Sequence, residues 1–147
     1  YAYSSGRLLW TFGQNLSVNY ERSIGTYYTQ HADPNGYYWG ECVSSCKALS
    51  GSTVGTNSWS SGSQVVGGGV SAGTVIATFF GSGGSYEGHS AIFKGYIRDG
   101  GGNITGIEVW DQNWYTYSGS GIFGTHAINR SGSGVLNADN YYVVNVP

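Results

Sequence analysis

Charge is scarce in this chain. Lys and Arg together number 6 and Asp and Glu 8 among 147 residues, for a formal net charge of −2. With so little charge and no basic excess, the chain has no grounds for a nucleic-acid partner or a membrane-surface partner, because both favour basic patches. Cysteine is scarce too. Two residues, Cys42 and Cys46, cannot build a disulfide framework and allow one bridge or two thiols. No segment approaches the ~20 apolar residues that a membrane-crossing helix needs. Met is absent and no signal-peptide pattern is visible, so the chain reads as a processed mature protein starting at Tyr1. The glycine runs lack the Lys and the strand–helix setting of a phosphate-cradling loop. Cys42, Cys46 and His89 match no zinc-site spacing. No metal and no cofactor is expected.

What the chain has instead is glycine and aromatic surface, with 26 Gly, 13 Tyr and 5 Trp. Tyr and Trp suit β-sheets, but a core of this size cannot hide all of them. The remainder implies an aromatic, weakly charged surface suited to uncharged polymers such as glycans, and a secreted, extracellular protein. The length fits one domain with one core. Residues 1–39 are expected to form an N-terminal extension packed on that core, and the protein to be a monomer.

Along the chain, Leu8, Leu9, Trp10 and Phe12 form an apolar cluster, and Val18 and Tyr20 suggest a short extended piece. Asp33-Pro34-Asn35-Gly36 is a turn. A helix is expected from Glu41 to Leu49, with Val43, Cys46 and Leu49 on one face, ended by Ser50-Gly51-Ser52. Residues 50–72 read as a Ser/Gly-rich loop. Strands are expected over Gly73–Phe80, His89–Ile97, Ile104–Trp110, Gly124–Ile128 and Tyr141–Val146, with Asp99–Asn103 as a hairpin turn. The sum is an α+β fold, one central helix packed on an antiparallel meander.

The chemistry-bearing residues follow from this plan. Cys42 sits in the first helical turn, where backbone N–H groups and the helix dipole favour a thiolate. His89 opens a strand, with small Ala91 beside it on the same face. Asp111 follows the next strand, where a carboxylate can hold the second imidazole nitrogen. His31 and His126 are less well placed. The competing reading of the cysteines is a Cys42–Cys46 bridge. It requires a distorted turn, because helical residues four apart hold their Cβ atoms ~5–6 Å apart and a disulfide wants ~3.8 Å.

Glu41-Cys42-Val43, Gly88-His89-Ser90-Ala91-Ile92-Phe93-Lys94-Gly95 and Val109-Trp110-Asp111-Gln112-Asn113 together resemble the NlpC-type and CHAP (cysteine–histidine amidohydrolase/peptidase) superfamily. The resemblance covers about residues 38–146 and is closest to small NlpC-like peptidoglycan amidases. It implies a papain-like fold and a thiol amidase or endopeptidase that cuts stem-peptide amide bonds in bacterial peptidoglycan. By position, Cys42 would be the nucleophile, His89 the base and Asp111 the orienting group. Tyr38, Trp39, Asn113 and Trp114 are the expected substrate-binding residues. The family often has Gln where this chain has Glu41, and a carboxylate beside a thiolate would raise the thiol's pKa.

Two other classes of function stay open on the sequence. With the cysteines bridged, Glu41 and Asp111 would form the carboxyl pair of a muramidase (lysozyme), Glu41 as general acid. Aromatic platforms alone would suffice for a non-catalytic glycan-binding module.

Overall fold

A computed structural model describes residues 2–4, 6–10, 41–117 and 123–147 of the chain. Among these residues one α-helix, α1 (Cys42–Ser50), accompanies eight strands. They are β1 (Ala2–Ser4), β2 (Arg7–Leu9), β3 (Ser60–Gln64), β4 (Val75–Ala77), β5 (Ser90–Arg98), β6 (Ile104–Gln112), β7 (Phe123–Asn129) and β8 (Tyr142–Asn145). The α+β class is as expected. Strands β1 and β2 form a two-stranded ribbon, and the other six form one sheet in the order β3-β8-β4-β5-β6-β7, antiparallel at every pairing.

Strands β4 to β7 are the anticipated meander. The last strand departs from it, because β8 returns to lie between β3 and β4. Val143 and Val144 are both buried, which suits an interior strand covered on its two faces. β3 falls within the stretch read as loop. Its sequence Ser-Ser-Gly-Ser-Gln is almost wholly exposed, so it carries no alternation to read. It is held by pairing with β8 at the sheet edge. The expected eight-residue strand at 73–80 shortens to β4, whose ladder ends where the His89 N–H bonds Thr78 Oγ1 at 3.0 Å rather than the Thr78 carbonyl.

Alternation along the strands sends side chains to two cores. One face gathers Cys46, Ala77, Ile92, Trp110 and Val144 with Leu8 and Trp10 of the N-terminal segment, and Val43 and Leu49 of α1 pack against it. The opposite face gathers Ile76, Ala91, Phe93, Ile107, Val109, Ile128 and Tyr141. The expected helix face is present, and Ala91 and Phe93 lie on the opposite face of the sheet from Ile92. Gly51 ends α1 in the left-handed conformation at φ 74°, the position that favours Gly.

Candidate active site

Cys42 is the first residue of α1, and Glu41 caps the helix in an extended conformation without a side-chain cap bond. The N–H groups of a first helical turn have no intrahelical partner and carry the positive end of the helix dipole. The thiol is therefore placed where negative charge is favoured. Its Sγ lies 3.4 Å from the Tyr86 hydroxyl and hydrogen-bonds the His89 side chain.

His89 is set by its backbone. Thr78 Oγ1 accepts the His89 N–H at 3.0 Å and donates to the Glu87 carbonyl at 2.6 Å, clamping the chain as it enters β5. The imidazole Nε2 lies 2.7 Å from Asp111 Oδ2, which leaves Nδ1 for the thiol. Asp111 lies near the end of β6, fully buried. Gln112 next to it donates from Nε2 to the Glu41 carbonyl at 2.9 Å, tying the end of β6 to the start of α1. The structure thus brings Cys42, His89 and Asp111 together.

Three further residues complete the cluster. Asp111 Oδ2 also receives His126 Nε2 at 2.6 Å, and Oδ1 accepts from the Tyr117 hydroxyl. His126 Nδ1 lies 3.0 Å from the Ala127 carbonyl. Trp114 stacks on His126 with ring centroids 4.2 Å apart at 22° and leans on His89 at 4.9 Å. The turn that brings it back uses Asn113 at φ 63°, a left-handed conformation that Asn tolerates better than most residues. Of these residues, His126 could have been found from the sequence. It shares a face of β7 with buried Ile128, and β7 runs beside β6 with Val109 opposite His126. Tyr86 and Tyr117 sit in turns and carry no such signal.

Burial pushes the Cys42 thiol up. The His89 hydrogen bond and positive charge, the Tyr86 hydroxyl and the Ser90 backbone outweigh burial and bring it down to about 7. Burial pulls the His89 imidazole down. The Asp111 and Cys42 hydrogen bonds and their negative charges outweigh that and raise it to about 9. Burial likewise opposes ionisation of Asp111, yet bonds from His126 and His89 hold its carboxyl below the usual carboxylate range. Between about pH 7 and 9 the pair is a thiolate beside an imidazolium, the form that attacks a carbonyl carbon and can protonate a leaving amine.

The muramidase alternative loses both of its structural requirements. Cys42 and Cys46 are free thiols on a regular helix, and Cys46 is fully buried, its thiol pushed up by that burial. Asp111 is closed off from solvent by two histidines and a tyrosine, so it is not an open carboxylate partner for Glu41. Glu41 itself is exposed, and its Oε2 accepts from Asn113 Nδ2 at 3.4 Å. The rise of the thiol pKa expected from Glu41 is not found; the Cys42 thiol is instead brought down, mainly by His89. Asn113 is exposed and Trp114 is buried. Tyr38, Trp39, His31, the turn at 33–36 and the extended piece at Val18 and Tyr20 lie outside the described residues.

The domesticated amidase effector 2 (Dae2) family matches residues 8–144. The chain belongs to that family. Membership places it among the amidases, the class of hydrolase that the His89 strand motif implies. Among solved structures, the type 6 secretion amidase effector 2 (Tae2) shares the fold with a TM-score of 0.58 and 22% sequence identity, over 95% of this chain and 94% of that one. No curated protein matches the chain.

Proposed function

We propose that the chain is a papain-like cysteine amidase of the NlpC type that hydrolyses stem-peptide amide bonds of bacterial peptidoglycan. The observation that carries the mechanism is the continuous contact from Tyr86 through Cys42 and His89 to Asp111. Family membership supports the amidase and its peptidoglycan target. The weakly charged, aromatic composition supports a secreted protein.

In this mechanism the Cys42 thiolate attacks the scissile carbonyl carbon. The electron pair of the C=O bond moves to oxygen, where the N–H groups of the first turn of α1 stabilise it. The tetrahedral intermediate collapses, the C–N bond breaks, and the His89 imidazolium gives its Nδ1 proton to the leaving amine. Water then attacks the thioester and gives a proton to His89. Collapse releases the carboxylic acid and restores the thiolate. Asp111 accepts the Nε2–H throughout and keeps the ring oriented.

The test is mass spectrometry of fragments released from purified peptidoglycan, with and without borohydride reduction. New amines on stem peptides without new reducing sugars are expected, and Cys42→Ala should abolish their release while Glu41→Gln retains it. New reducing ends on intact disaccharide-peptides, persisting in Cys42→Ala, would replace the amidase by a glycosidase.

A further inference from the structure

Three large apolar side chains stand exposed among the described residues, and two of them, Tyr115 (70% exposed) and Leu136 (39% exposed), flank the same cavity. It has a volume of about 390 Å³, within the ~300–1,000 Å³ range of small-molecule sites. It lies between the turn that follows β6 and the segment that follows β7. Trp114 and His126 form its inner wall, and Asn129 and Ser131 contribute amide and hydroxyl groups. The cavity therefore borders the catalytic cluster, because His126 bonds Asp111 and Trp114 touches both histidine rings.

The lining selects a ligand class. No Asp, Glu, Lys or Arg among the described residues faces the cavity. Arg130 lies in sequence between Asn129 and Ser131 but turns to Asp139 and the Ile104 carbonyl. His126 has one ring nitrogen against Asp111 and the other against its neighbour's carbonyl, so both nitrogens are already engaged and it offers a ligand only its ring. Asn129 Oδ1 accepts from the Ser131 N–H and hydroxyl, which leaves the Asn129 amide protons and the Ser131 oxygen for a ligand. Tyr115 rests against Trp114 at 5.1 Å and presents an aromatic surface to solvent. An exposed aromatic ring, an aliphatic side chain and neutral donors and acceptors suit a sugar with an N-acetyl group. They do not suit the charged groups of a stem peptide.

We propose that the cavity between Tyr115 and Leu136 is a saccharide subsite that takes an uncharged N-acetylated sugar of the glycan strand while the attached peptide reaches Cys42. The inference rests on the amidase reading for its role, but the subsite is tested apart from it. The probe is the N-acetylglucosamine disaccharide, titrated calorimetrically into the folded Cys42→Ala protein. The expected result is saturable binding that weakens about tenfold with Tyr115→Ala and also falls with Leu136→Asn, both variants keeping the parent's circular dichroism. No binding to the parent, or binding unchanged by Tyr115→Ala, overturns the proposal. With the active enzyme, Tyr115→Ala should lower kcat/KM for sugar-linked stem peptides and leave sugar-free stem peptides unaffected; an equal loss on both overturns it as well. If Cys42→Ala still releases amines from peptidoglycan, the amidase mechanism fails, and the sugar titration decides the subsite independently.

Discussion

At the residue scale, the proposed mechanism makes Cys42 and His89 set the pH dependence. In that mechanism, attack needs the Cys42 thiolate, formed above about 7, and amine departure needs the His89 imidazolium, lost above about 9. A plot of kcat/KM against pH should therefore rise through about 7 and fall through about 9. Asp111 raises His89, so Asp111→Asn should move the falling limb to lower pH as well as reduce the rate. An unmoved alkaline limb would show that Asp111 does not set the imidazole. Tyr86 acts on the other partner. Its hydroxyl lowers the thiol and is itself driven up by burial and by the Cys42 charge beside it, so it stays a donor. Tyr86→Phe should shift the pH dependence of Cys42 alkylation by iodoacetamide to higher pH. An unchanged alkylation profile would remove Tyr86 from the site.

At the scale of elements, the join between β4 and β5 positions His89, the base of the proposed mechanism. Gly88 holds φ at 117°, and a Cβ there would collide with Thr78 Oγ1, the atom that anchors the His89 N–H. Gly88→Ala therefore adds backbone strain and displaces the Thr78 clamp. A loss of about 1–3 kcal/mol in urea unfolding is expected, with a fall in kcat larger than any change in KM. Wild-type stability and rate in this variant would show that the clamp is dispensable. The helix, the His89 strand and the Asp99–Asn103 turn were legible in the sequence because each has local chemistry. Asp99 Oδ1, for example, accepts from the backbone N–H groups of Gly101 and Asn103 at 2.9 and 3.0 Å. β3 was not legible, since a run of Ser and Gly becomes a strand only when a partner supplies its hydrogen bonds.

For the molecule as a whole, the segment that ends β2 is joined to the sheet through Leu9 and Trp10. Trp10 is 5% exposed and meets Trp110 edge-on at 5.2 Å and 79°. Its N–H donates to the Gly73 carbonyl at 2.7 Å. Trp110 neighbours Asp111 on β6, so this contact supports the strand that carries the carboxylate. Trp10→Ala should cost about 3–5 kcal/mol, the range for truncating a buried Trp, read as a lower urea midpoint with unchanged slope. A shift within ~0.5 kcal/mol, typical of surface positions, would mean that the segment lies on the sheet without stabilising it.

Local pattern in the sequence determined the helix that starts at Cys42, the strand that starts beside His89, the place of Asp111 after the next strand, and the resemblance that joins them. Periodicity and turn chemistry act within a few residues, and those elements are built at that range. Only the tertiary structure decided that β8 enters the sheet between β3 and β4. It alone decided that both cysteines stay free and that Asp111 serves two histidines. It also brought Tyr86 to the thiol and Tyr115 and Leu136 to one cavity. These outcomes join residues far apart in the chain, and they depend on register and on which groups share a buried space. No local propensity encodes either.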